Sequence, residues 1–244
     1  MPPKPTVLRK IIREIKRPFR QKPKPIENHD PWVREIIATV APFTITSKER
    51  VAALCASIEY IVRCQISGAI VECGVWRGGS MMAAALALMR LGDINRDLYL
   101  FDTFTEMPPA ADVDRRTQDG KDGNRLLQDI GWESASMEEV RRNVGSSGYP
   151  RSHLHFIKGR IEETVPSEAP EQIALLRLDT DWYQSTLHEL THLYPRLSTR
   201  GILIIDDYGY FDGSRLATDR YILENKLPIF LHRIDAEGRM AIKT

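Results

Sequence analysis

The sequence predicts an open α/β sheet, mostly parallel and finished by an antiparallel last strand, with helices on both faces. Three stretches carry this expectation. Residues 175–207, LLRLDTDWYQSTLHELTHLYPRLSTRGILIIDD, place a helix-length segment closed by Pro195 between two apolar runs, Ala174–Leu178 and Ile202–Ile205. Runs of that length match buried parallel strands joined by a crossover helix. Residues 68–80, GAIVECGVWRGGS, read as strand, glycine turn and helix start. The final stretch, Ile229–Ile234 and Arg239–Ile242 around Asp235-Ala236-Glu237-Gly238, reads as a hairpin.

In chain order, Asp30 and Pro31 suit an N-cap and a first helical position. Pro42–Thr46 reads as a short extended connection. Ser47 then caps a helix over Lys48–Cys64, whose Val51, Leu54, Cys55 and Ile58 recur at helical spacing. Ala69–Cys73 is a strand, Gly74, Gly78 and Gly79 form the turn, and Ser80 opens the helix Met81–Leu91. Leu98–Phe101 is the second strand, ending in Asp102. Phe104–Trp132 is a long irregular stretch and is expected to be a mobile cover over the strand ends that helps bind the acceptor. Ser136 and Glu139 form a capping box for a helix through Val144. His153–Ile157 is the third strand, followed by GRIEET at 159–164. After the crossover unit, Tyr208–Gly213 is a loop and Ser214 starts a helix to about Asn225.

Ligands of open α/β sheets bind beyond the carboxyl ends of the strands. Those ends carry Asp102, Asp179 and Asp181, and Asp206 and Asp207. The four carboxylates of Asp179, Asp181, Asp206 and Asp207, on neighbouring ends, repel one another unless positive charge sits among them. A hard divalent cation such as Mg²⁺, with its preference for oxygen ligands, meets that need. The glycine turn resembles a nucleotide-binding start, but Trp76 stands where a dinucleotide fingerprint has its second glycine, so a pyrophosphate is crowded out. S-adenosylmethionine has no phosphate and needs no such approach. Asp102 is placed to meet its ribose hydroxyls.

His188-Glu189-Leu190-Thr191-His192 matches the zinc-protease pattern H-E-x-x-H. It lies within a crossover helix, away from the strand carboxyl ends and with no evident third ligand, so zinc proteolysis is set aside.

Taken together, VECGVWRGGS, LYLFDTF, LRLDTDWYQST, LYPRLS and GILIIDDYG resemble the macrocin O-methyltransferase family, from about Ala41 to Tyr221. These are bacterial metal-dependent methylases of sugar hydroxyls in macrolides and related natural products. The resemblance implies a class I methyltransferase fold with a seven-stranded sheet, S-adenosylmethionine as donor, and Mg²⁺. It implies Asp179, Asp206 and Asp207 as metal ligands and Asp181 as general base. Cofactor contacts fall to Glu72, Gly74, Trp76, Ser80, Asp102 and Thr103. Thr44 and Ile45 close over the cofactor, and Gly159, Arg160 and Glu162 border the adenine. Arg200 departs from the glycine usual there, at the strand end far from the site. The family also suggests a homodimer.

Rival readings are a catechol-type phenol methylase, which usually shows Asp-Asn where this chain has Asp206-Asp207, and a nicotinamide-dependent dehydrogenase, which Trp76 disfavours. A third is a membrane-surface protein with a vestigial cofactor pocket. The 244 residues suit one large α/β domain, 31–244, after a basic, proline-rich tail, 1–30. Residues 1–25 hold nine Lys and Arg against Glu14 alone, while the whole chain is only +1, so the body is acidic. A solvated tail is the preferred reading, with weak peripheral contact to an anionic membrane through Val7–Ile15 as the alternative. No aromatic–basic module suggests nucleic-acid binding. No signal peptide or membrane-length apolar run is evident. The three cysteines, Cys55, Cys64 and Cys73, lack zinc spacing and suit a reduced, cytoplasmic protein.

Overall fold

A computed structural model describes residues 29–244; the readings of the basic tail lie outside the described residues. Helices α1 (Pro31–Val40) and α2 (Lys48–Arg63) lead into β1 (Ala69–Cys73), α3 (Gly79–Leu91) and β2 (Leu98–Asp102). Then follow α4 (Gly123–Ile130), α5 (Met137–Gly145), β3 (Leu154–Lys158), the one-turn α6 (Ile161–Thr164) and β4 (Ile173–Leu178). The chain ends with α7 (Tyr183–Leu193), β5 (Leu197–Ile205), α8 (Asp212–Glu224), β6 (His232–Arg233) and β7 (Arg239–Ile242).

The seven strands form one sheet in the order β3-β2-β1-β4-β5-β7-β6. The first five are parallel, and β7 pairs antiparallel with β5 and β6. Successive strand residues face opposite sides, and both sides are covered. Ile70 joins a core with α1, α2, α3 and α5 through Val33, Ile58 and Met81. Val71 and Cys73 join the other, with Ile161, Leu190, Leu193 and Tyr221 from α6, α7 and α8. The strand order reverses at β1, which makes the β1/β4 boundary the topological switch point. Register aligns Phe101, Cys73, Leu178 and Ile205 in one row across β2, β1, β4 and β5. The residues that leave that row, among them Asp102, Gly74, Asp179 and Asp206, therefore open into the same space.

Local structure departs from expectation in four places. Ala41–Phe43 is a 3₁₀ turn rather than extended, with Pro42 inside it. The stretch 104–132 is folded: α4 is capped by Asp122, and Arg115 and Arg116 make isolated bridges to Asp122 and Phe211. Strand β5 begins at Leu197, which pairs with Ile173 of β4, and Arg200 takes a left-handed φ of 68° where the register shifts. The penultimate strand shrinks to His232–Arg233, paired with Met240 and Arg239.

Candidate active site

A cavity of about 400 Å³ opens at the carboxyl ends of β2, β1, β4 and β5. One half is built around the β1–α3 turn. Gly74 has φ +81°, and a Cβ there would sit 1.9 Å from the Asp179 carbonyl oxygen, so only glycine lets the turn pass the β4 end. Val75 and Trp76 donate backbone N–H bonds to Asp102 Oδ2 at 2.7 and 3.0 Å, and Phe104 N donates to Oδ1 at 2.8 Å. Asp102 thus locks the turn to the end of β2 as well as facing the cavity. Burial raises its pKa, against the pull of these three donors.

Thr44, Ile45, Gly74, Trp76, Ser80, Asp102, Thr103, Gly159, Arg160 and Glu162 all line the cavity. Glu72 does not. It is 1 % exposed beneath the floor, ion-paired with Arg177, and burial pushes its pKa up to about 8. The expected cofactor contact at Glu72 is therefore corrected to a role under the site. The reason is register: Glu72 lies directly opposite Arg177 on β4.

The other half is acidic. Asp179, Asp181 and Asp207 each present a carboxylate oxygen, all within 4.8 Å of one another. Asp207 is 8 % exposed, and its Oδ2 is buried with no hydrogen-bond partner. Asp181 holds a left-handed φ of 66°, which turns its side chain off the path of the strand. Asp206 does not join this trio. Its Oδ1 accepts from Arg177 Nη2 at 2.6 Å, and its Oδ2 is paired with Arg50. Asp206 also lines the cavity, but here both its oxygens serve arginines, and its expected place as a metal ligand is not the one this arrangement gives it. The positive charge required among the acids is thus supplied first by two arginines, which sequence reasoning missed. Arg177 is 3 % exposed and also bonds Asp179 Oδ2 at 2.6 Å. Arg50, from α2, also reaches Asp235 and Glu237 in the β6–β7 turn at 3.0 and 2.6 Å. Arg177 had a signal in the sequence: a cation inside an apolar strand must find buried partners.

The stretch 104–132 forms the cavity's apolar wall with Met107, Pro108, Leu126, Ile130 and Trp132, and Trp182 and Phe211 complete it. Its anchor is Asp114, which accepts from Ala111 N at 2.9 Å and from Tyr183 N, at the start of α7, at 2.7 Å. A Cβ on Gly213 would lie 1.8 Å from Asp114 Oδ1, so that approach requires glycine. Trp182 Nε1 donates to the Pro108 carbonyl at 2.8 Å, and its ring meets Phe211 edge-on at 4.9 Å.

The H-E-x-x-H histidines hold no metal geometry. His188 Nε2 lies 3.0 Å from the Val165 carbonyl oxygen, and Glu189 is buried, accepting from Thr180 Oγ1 at 2.8 Å. Among the described residues, the Asp179–Asp181–Asp207 group is the one with ligand spacing for an ion. Among them, too, no helix is long and apolar enough to cross a membrane.

The family model described as Macrocin-O-methyltransferase (TylF) matches residues 7–241. The chain is 34% identical over 178 residues to 8-demethyl-8-(2,3-dimethoxy-alpha-L-rhamnosyl)-tetracenomycin-C 4'-O-methyltransferase of Streptomyces olivaceus, covering 73% of this chain and 67% of that one. It is 32% identical over 195 residues to mycinamicin III 3''-O-methyltransferase of Micromonospora griseorubida, covering 80% and 76%. The solved structure of the O-methyltransferase NovP superposes with a TM-score of 0.71 at 30% identity, covering 83% of this chain and 82% of that one.

Proposed function

Because the chain belongs to the macrocin-O-methyltransferase family and has the class I methyltransferase fold, we propose that it moves a methyl group from S-adenosylmethionine to a hydroxyl of a sugar, with Mg²⁺ and an aspartate base. One observation carries this reading: three converging carboxylates, one with an unpartnered buried oxygen, face a turn shaped by Gly74 and Asp102 across a single cavity. The donor set is all oxygen, as a hard cation prefers. The orphaned Asp207 oxygen is a group that such an ion would satisfy.

When bound, S-adenosylmethionine supplies an activated methyl and the cation supplies Lewis acidity for a hydroxyl that parts with its proton poorly. Asp179 and Asp207 would hold the cation, with water completing its shell. Asp181, on the same rim, takes the hydroxyl proton. The Val75–Trp76 turn and Asp102 hold the adenosine, and Thr44 and Ile45 close over it. The apolar wall orients the acceptor and excludes water, which fixes the line of attack. One relative is named for a rhamnosyl-tetracenomycin and another for mycinamicin III, which supports a deoxysugar of a natural product or glycan here. Residues 31–244 form the catalytic domain. The family suggests a homodimer, which sedimentation would check; the unpaired cysteines favour a cytoplasmic setting, and vesicle flotation would check weak membrane contact by the tail.

The test is methyl transfer to a panel of deoxysugar glycosides and nucleotide sugars. Product from a catechol but from no sugar would replace this reading. EDTA should abolish turnover and Mg²⁺ restore it; full activity in the chelated enzyme would remove the cation. Asp102→Ala should weaken S-adenosylmethionine binding by roughly 1.5–3 kcal/mol, the range for charge-assisted hydrogen bonds, and leave cation binding alone. Unchanged affinity in titration calorimetry would take Asp102 out of the ribose role.

A further inference from the structure

Arg177 is buried under the site and its two terminal nitrogens divide their partners. Nη1 serves Glu72 and Asp179, and Nη2 serves Asp206 and, at 3.0 Å, the hydroxyl of Thr46. Glu72 stands on β1, and Asp179 and Asp206 directly follow β4 and β5. Thr46 alone belongs to the strap before α2, whose Thr44 and Ile45 line the cavity and whose Ile45 is 70 % exposed. Thr46 N also donates to Thr44 Oγ1 at 3.0 Å, so the strap is tied internally to the residue that touches Arg177. One guanidinium therefore joins the strap over the cofactor half to Asp179 in the acidic half.

We propose that Arg177 is a positioning residue that couples the two halves: cofactor held under the strap tightens binding of the divalent cation at Asp179, through the Thr46–Arg177 bond. This rests on the cation reading above. The physical route is preorganisation. Cofactor fixes the strap, the strap fixes Thr46, and Thr46 fixes the fork of Arg177 that sets the Asp179 carboxylate. The cation then meets a group whose ordering cost is already met. Linkage makes the effect reciprocal, so the cation tightens cofactor binding by the same factor.

The experiment titrates Mn²⁺ into the full chain by the loss of the free-ion electron paramagnetic resonance signal, with and without S-adenosylhomocysteine, so no turnover occurs. In the unmodified protein, S-adenosylhomocysteine should raise Mn²⁺ affinity about fivefold or more, the lower end of typical coupling. Thr46→Val keeps the side chain's shape and removes its hydroxyl. It should bring that ratio close to one while leaving Mn²⁺ affinity without S-adenosylhomocysteine as it was. Thr46→Ser, which keeps the hydroxyl, should preserve the ratio. A ratio retained in Thr46→Val, or a ratio of one in the unmodified protein, overturns the coupling and leaves the cation reading standing. Absence of any Mn²⁺ binding overturns both, while S-adenosylhomocysteine titration without metal still reports on the cofactor half.

Discussion

Asp181→Asn should give a folded protein that binds S-adenosylmethionine and Mg²⁺ normally yet turns over about 10²–10⁴ times more slowly, the usual share of a general base. The argument separates Asp181 from Asp179. Asp179 leaves β4 directly and is held by Arg177, which suits a rigid ligand. Asp181 stands two residues further on, half-buried, with its backbone in the left-handed region. Burial raises its carboxyl above the ordinary range, and the charges of Asp179 and Asp206 add to this. With the cation held by Asp179 and Asp207, Asp181 is the acid left free to accept a proton. Asparagine keeps the shape and cannot accept one. Asp179→Asn should instead weaken cation binding and recover part of its activity at high Mg²⁺. Turnover measured against Mg²⁺ for both variants decides the matter. If excess metal rescues Asp181→Asn and fails with Asp179→Asn, the two roles must be exchanged.

Arg177→Met should lower unfolding stability by about 3–5 kcal/mol, the cost of removing one partner from a buried ion pair. Burial opposes the charge on Arg177, but Asp179, Asp206 and Glu72 outweigh it and raise the guanidinium's pKa, so the group is a cation in the folded protein. Methionine fills similar space and leaves the carboxyl groups of Glu72, Asp179 and Asp206 without their shared partner, with Glu72 and Asp206 almost fully out of water. Urea unfolding at neutral pH reads the loss directly. Stability close to that of the unmodified protein would mean that these acids are neutral when folded and that the arginine does not hold them.

The parts of the site legible in the sequence were those that follow from chain direction. Apolar runs ending in acid gave Asp102, Asp179 and Asp206 their common edge, and the strand–glycine–helix order put Gly74 opposite them. What remained hidden depended on register and on distant partners. Arg177 and Asp179 share a face by the two-residue period of a strand, but the sequence does not say that Glu72 lies opposite Arg177. Nor does it say that Arg50, on a helix, crosses to Asp206. Without those arginines, Asp206 looks like a free ligand and Glu72 like a cofactor contact. Within 104–132, α4 had local signals in its Asp122 N-cap and Gly131 C-cap, whereas the order of the rest comes from Asp114 and Trp182 bonding across the fold, of which local propensity carries no trace.

The acids and the glycine turn rest on four parallel strands whose register fixes them together, whereas most of the wall comes from one connection pinned by Asp114, Pro108 and Phe211. Residues between those pins can change size or polarity without moving a strand. A substitution between those pins would therefore reshape the cavity's apolar wall and leave the acid cluster and the glycine turn where they are.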